Sequence, residues 1–203
     1  MQALRKNAIR NYDSIWKNTF FDFLLPYTPD GRGRLGEGML VTLLRELTSF
    51  NVSWDQDKNI LHENGDIYDM LVNEFRVEIK TATVGYNHKK KKVTHTYQHE
   101  NIYEASLWDK LVFLDIEPNG YYLSIINHKD MPFHEKRHAI FETKATKHMS
   151  AWKFDTRKNT LKRGIAGDIT IYIPIDAQGK ISTESGRKLA TFLNTHFSRP
   201  TSR

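Results

Sequence analysis

The chain has 203 residues, 39% of them apolar and 12% aromatic, enough for a sizeable core and too apolar for an intrinsically disordered chain. It carries 30 Lys and Arg against 24 Asp and Glu, a net charge of +6. It has no cysteine, which excludes disulfides and thiolate zinc sites.

No run of 18 apolar residues occurs, so the sequence offers no membrane-spanning helix. The first residues, MQALRKNAIRNYDSIW, lack the apolar stretch and small-residue cleavage site of a signal peptide. An intracellular, cytoplasmic protein is the expectation.

In chain order, Ala3 to Leu25 places Ile9, Ile15, Trp16, Phe20, Phe23 and Leu24 at roughly helical spacing, ending before Pro26. Residues 27–38, YTPDGRGRLGEG, are rich in turn formers and read as a loop. A helix over about Glu37 to Phe50 carries Met39, Leu40, Leu43, Leu44 and Leu47 on one side. NVSW is a short strand. DIYDMLV and FRVEIKTATV flank Asn73-Glu74 as a hairpin. Residues 86 to 99 are polar and basic, a loop or an exposed strand. Residues 100–108 favour a helix. KLVFLDI and YYLSIINH form a second hairpin around Pro118-Asn119-Gly120. Residues 134 to 150 read as helical, GDITIYIPI as a strand, and STESGRKLATFLNTHF as a final helix capped by Ser182. This order predicts one α/β domain with a central mixed sheet flanked by helices.

The strand Phe75–Thr81 carries the chemistry. Side chains alternate between its faces, so Phe75, Val77 and Ile79 take the core face while Arg76, Glu78 and Lys80 take the other. A Glu and a Lys inside a layered sheet are costly unless that face opens into a cleft. Phosphodiester hydrolysis would use such a pair. A hard cation wants carboxylate oxygens, a backbone carbonyl and water, and an ammonium can orient the nucleophile and offset developing charge.

The stretch GDIYDMLVNEFRVEIKTAT, an acid and an apolar spacer followed by Glu-x-Lys, resembles the PD-(D/E)XK nucleases, type II restriction endonucleases in particular. The resemblance covers about Glu37 to Ile125, under half the chain. Gly65 stands where the family name has its proline. The resemblance implies a restriction-endonuclease-like fold over residues 1–203: a helical extension over 1–34, a catalytic core over 35–130, and a basic, helical part over 131–203. It implies a Mg²⁺-dependent, sequence-specific double-stranded DNA endonuclease without a nucleotide cofactor, working as a homodimer on a palindromic site. It implies Asp66, Glu78 and Lys80 as catalytic residues, with Asp66, Glu78 and the Ile79 carbonyl on the metal.

Strand parity leaves the upstream acid open. If Asn73-Glu74 is a two-residue turn, Asp69 stands opposite Glu78. If the loop is centred on Asn73, or a bulge intervenes, Asp66 joins the Glu78 face. Glu37 is a third acid, either reaching the metal site from its helix or simply favourable at a helix N-terminus.

Two basic runs flank this centre. Lys89, Lys90, Lys91 and Lys92 follow the Glu-x-Lys strand. Lys144, Lys147, Lys153, Arg157, Lys158, Lys162 and Arg163 stand against the single acid Asp155. In the family the segment after Glu-x-Lys faces DNA, which gives the first run to phosphates and His95, Gln98 and His99 to base edges. His95 and His99 have zinc-compatible spacing on a helix, but no cysteine and only Glu100 stand nearby. Two other readings fit the same residues: a structure-specific repair or recombination nuclease, and a non-catalytic basic DNA-binding module whose carboxylates form structural ion pairs.

Overall fold

The structure, a computed structural model, describes residues 15–54, 68–87, 90, 92–104, 107–131, 133, 146–148, 151–157 and 168–198. Asp66, Lys89 and Lys91 lie outside them, as do residues 3–14 of the expected first helix.

Helix α1 spans Pro29–Leu47. The Thr28 hydroxyl caps it by accepting from the Gly31 amide at 3.2 Å, and Pro29 takes the first-turn position where its missing N–H costs nothing. The strands follow: β1 (Val52–Trp54), β2 (Met70–Val72), β3 (Phe75–Thr83), β4 (Tyr86–Asn87), β5 (Lys92–Val93), β6 (Thr96–Tyr103), β7 (Lys110–Glu117), β8 (Gly120–Asn127), β9 (Thr146–His148), β10 (Ala151–Arg157) and β11 (Thr170–Pro174). Helix α2, Thr183–Phe197, closes the described chain, and the Ser182 hydroxyl accepts from the Ser185 amide at 3.1 Å as its cap.

The main sheet has six strands in the order β1-β2-β3-β7-β8-β11. Only β3 and β7 run parallel; the other neighbours are antiparallel. Both expected hairpins form. Val72 pairs with Phe75 across Asn73-Glu74, and Glu117 pairs with Gly120 across Pro118-Asn119. Asn73 adopts φ 55°, which asparagine tolerates in so short a turn.

Register sorts side chains onto two sides. Val77, Ile79, Thr81, Val112 and Leu114 share the side against the helices. There Gly36 of α1 touches Thr81, and the Phe197 ring of α2 stands 6.3 Å from Phe75. Glu78, Lys80, Phe113, Asp115 and Glu117 share the other side, covered by a second sheet of order β6-β10-β9. Among the described residues both helices lie on one face of the sheet and strands on the other. A two-stranded ribbon, β4-β5, completes the architecture.

Four expectations need correction. Helix α1 begins at Pro29, so the glycine-rich stretch is helix rather than loop and runs across residue 35. Among the described residues the first helical region is interrupted at Asn18, φ 64°, and continues as a 3₁₀ turn over Phe20–Leu24. The expected helix over 100–108 is strand up to Tyr103. Within 134–150, Thr146–His148 is strand and the remainder lies outside the described residues. Among the described residues no helix is long and apolar enough to cross a membrane.

Candidate active site

Strand β2 is three residues long and β3 is nine. Their ladder ends early, and the geometry of the site follows from that mismatch. The Asp69 amide donates to the Val77 carbonyl at 2.9 Å, and the Asp69 carboxylate then accepts from the Ile79 amide at 2.6 Å, standing in for the next rung. Amide and carbonyl of one strand residue point to the same edge. The Ile79 carbonyl therefore faces the edge where, among the described residues, the β2 ladder has ended.

A cleft of about 880 Å³ lies along that vacated edge. Its floor is β3 from Ile79 to Thr83. One wall is the N-terminal half of α1, including Arg32, Arg34 and Glu37; the other is the stretch Thr96–Asn101 of β6. Lys80 and Asp69 border it as well.

Glu78 and Lys80 meet at 2.6 Å, side by side on the inter-sheet face. Glu78 is 5% exposed, and its Oε2 is buried with no hydrogen-bond partner among the described residues. Burial raises the Glu78 carboxyl above the usual carboxylate range, the Lys80 ammonium opposes that, and the charge of Glu37 adds to it. Glu37 itself is raised by burial and then by the Asp69 charge, against the pull of the Trp54 indole, Arg34 and Lys80. The Trp54 Nε1–H donates to Glu37 Oε2 at 3.3 Å. Three carboxylates thus crowd into one electrostatic environment, and two of them hold their protons more tightly than free glutamate does.

Asn73-Glu74 is a two-residue turn and the paired register runs back to Met70 opposite Val77; Asp69 follows at the end of that ladder, and Asp66 lies outside the described residues. The fold brings Glu37, Asp69, Glu78 and Lys80 together. Of the expected DNA-contacting residues, Lys90 and Lys92 are exposed, Gln98 is exposed on the cleft wall, and His95 is exposed with Nδ1 3.8 Å from Glu117 Oε1. His99 departs from the expectation of base readout. Its side chain is sealed between the sheets, 2.7 Å from Asp115 and with its ring 4.3 Å from that of Phe113 at a tilt of 49°, where no base edge reaches it. Since His99 sits on a strand, with His95 just before it, and the two meet different acids, their helical zinc spacing does not arise.

Sequence reasoning misses the cleft arginines because the turn formers of residues 27–38 read as loop. The signal is nonetheless there: Thr28-Pro29-Asp30 is a helix start by its cap, its proline and its first-turn acid. The buried acids Asp115 and Glu117 also escape it. Asp115 accepts from the Thr156 hydroxyl at 2.7 Å and Glu117 from the Tyr97 hydroxyl at 2.7 Å, and both partners are distant in sequence.

Among the described residues no three His, Asp or Glu converge closely enough to enclose a metal by themselves. A Mg²⁺ site does not require that, because this ion keeps several waters and uses one or two carboxylates plus substrate phosphate. Glu78 Oε2, buried without a hydrogen-bond partner among the described residues, and the Ile79 carbonyl are donors of the kind such an ion takes, although Glu78 itself does not line the cleft. Comparison with protein-family models, with curated proteins and with solved structures gives no match to this chain.

Proposed function

We propose that the chain is a divalent-cation-dependent DNA endonuclease of the PD-(D/E)XK kind, working as a type II restriction enzyme. The observation that carries this reading is the Glu78–Lys80 pair, set at 2.6 Å on the floor strand of a cleft with one carboxylate oxygen buried and unpartnered. An unpaired buried carboxylate oxygen costs free energy, which a bound cation would offset.

Each residue has a role in this reading. Glu78 and the Ile79 carbonyl hold the cation, with Mg²⁺ the ion that suits all-oxygen donors. When bound, the ion supplies Lewis acidity at the phosphoryl oxygen and an acidified water. Lys80 orients the attacking water and offsets charge growing on the phosphoryl oxygens. Asp69 fixes the β3 backbone through the Ile79 amide, which holds the neighbouring carbonyl in place. The crowded acids Glu37 and Asp69 deepen the negative potential that attracts the cation. Arg32 and Arg34 line the same cleft and suit a polyanionic substrate. A homodimer would present two such clefts to a palindromic duplex.

The test is incubation of the purified protein with unmethylated phage DNA, with and without Mg²⁺, beside the Glu78→Ala variant. The expected result is discrete fragments in Mg²⁺ only, absent with the variant while DNA binding is largely kept. Cutting confined to branched substrates would replace restriction by a structure-specific nuclease. Undiminished cutting by Glu78→Ala would defeat the site assignment, and Mg²⁺-indifferent binding without cutting would leave only a DNA-binding module.

A further inference from the structure

The two walls of the cleft differ in chemistry. The α1 wall is cationic. Arg32 is half-buried and donates from Nη1 to the Thr83 hydroxyl at 3.2 Å, which holds its guanidinium over the floor strand. Arg34 is exposed and close enough to Glu37 to act on its carboxyl. The helix is locked to the sheet where Gly36 meets Thr81, so both arginines project from a fixed frame.

The β6 wall carries neutral amides. Tyr97, His99 and Ile102 point inward, and a plain alternation would send residue 101 inward in place of 102. A β-bulge changes that. Ile102 pairs with Trp152 and His99 with Phe154, so Glu100 and Asn101 together oppose Lys153. Asn101 takes φ 58° at the bulge and stays exposed. Gln98, Glu100 and Asn101 therefore all line the cleft. Glu100 is occupied by Lys153 at 2.7 Å, which leaves the two amides. Neither the Gln98 nor the Asn101 side chain hydrogen-bonds within the described residues.

Resting on the nuclease reading above, we propose that the two walls divide the recognition of DNA: Arg32 and Arg34 grip backbone phosphates, and Gln98 and Asn101 read base edges, with adenine preferred. The guanidinium fork matches phosphate oxygens in pairs. The carboxamide matches adenine N6 and N7 in the major groove, accepting from the first and donating to the second. Lys80 on the floor lies between the two sets.

The experiment measures binding of wild type and variants to a random duplex library and to single duplexes over a salt series, without divalent cation so that DNA stays intact. Arg32→Gln and Arg34→Gln should weaken all duplexes by one common factor and flatten the slope of log affinity against log salt by about 0.9 for each phosphate no longer neutralised. Arg32→Lys and Arg34→Lys should restore the slope, which separates charge from folding. Gln98→Ala and Asn101→Ala should leave the slope unchanged and reduce the preference for A·T at their positions about 5- to 150-fold. An unchanged slope in the glutamine variants, or an unchanged selected motif in the alanine variants, overturns the division of labour. A wild type that binds no DNA at all refutes the parent reading as well; one that cuts DNA while these variants behave as wild type refutes this inference alone.

Discussion

Gly36 and Gly33 lie on the same helix within one turn, yet alanine at the two should act in opposite directions. A Cβ on Gly36 would stand 2.8 Å from both Cβ and Cγ2 of Thr81, and nearer still to its hydroxyl oxygen. Carbon pairs rest at about 3.5–4.0 Å, so α1 must move off β3 by about 1 Å or the backbone must bend. Overpacking of that kind costs about 1–3 kcal/mol. Against it stands the helix propensity of alanine over glycine, about 0.8–1 kcal/mol. The net is a loss of up to about 2 kcal/mol, or up to about 8 °C in melting temperature at this chain length. A Cβ on Gly33 meets nothing within 4 Å. Gly33→Ala should therefore keep the propensity gain and melt about 2–4 °C higher. Calorimetric or circular-dichroism melts of the two variants decide it. Thr81→Ala in the Gly36→Ala background should recover part of the stability, because it removes Oγ1 and Cγ2 but not Cβ. The same displacement carries Glu37 and Arg34 away from Glu78, which on the nuclease reading costs up to about 10²-fold in rate. Equal melting temperatures for Gly36→Ala and Gly33→Ala would refute the close packing of α1 on β3 and the fixed frame drawn from it.

Other outcomes follow from the same geometry. Glu37 has a folded pKa raised above its ordinary value of 4.5, first by burial and then by Asp69, so the folded state binds more protons than the unfolded one in that region. Its contribution to stability is thus greatest below that value and falls as pH rises through the folded pKa; Glu37→Gln should remove this fall, its advantage in urea midpoint growing from pH 4 to pH 7, and parallel pH profiles would contradict it. Mg²⁺ at 100 times its dissociation constant should stabilise the wild type by about 2.7 kcal/mol and leave Glu78→Ala unmoved, a contrast that thermal melts with and without the ion measure directly. Asp115→Ala leaves His99 and the Thr156 hydroxyl buried without their acceptor and should cost about 3–5 kcal/mol in urea unfolding; a change below about 1 kcal/mol would mean water replaces the carboxylate.

What the sequence discloses is whatever depends on near neighbours. Both hairpins form as read, because period-two alternation and the turn pairs Asn73-Glu74 and Pro118-Asn119 are local signals. The Ser182 cap is likewise local. The start of α1 is hidden because Gly31, Gly33, Gly36 and Gly38 weigh against a helix in isolation; tertiary packing overrides that, and Gly36 is the residue that permits the close approach. The stretch 100–108 misleads for a different reason. The bulge sets the buried His99 and Ile102 three positions apart, a helical interval produced by a strand. His99 reads as a surface reader of bases because its partner Asp115 lies 16 residues away and in another layer. The Glu-x-Lys face is legible from alternation, but the choice between Asp66 and Asp69 depends on turn length and on any bulge, and Asp66 lies outside the described residues.

The early end of β2 explains more of the site than any one side chain does. Had β2 matched the length of β3, its next residues would have paired along Ile79 and Thr81, where the described ladder instead ends. Asp69 instead closes the ladder with a carboxylate, which commits one of its oxygens to the Ile79 amide and adds negative charge at the cleft edge. That charge raises Glu37, and the Glu37 charge in turn raises Glu78. Lys80 meets Glu78 from the floor strand and Arg34 acts on Glu37 from α1, while Glu78 Oε2 has no hydrogen-bond donor among the described residues. Protons could relieve the excess only by abolishing the carboxylates, whereas a divalent cation relieves it and keeps them. On the nuclease reading, the gathering of Glu37, Asp69 and Glu78 where the described β2 ladder ends is the physical reason to look for an ion there.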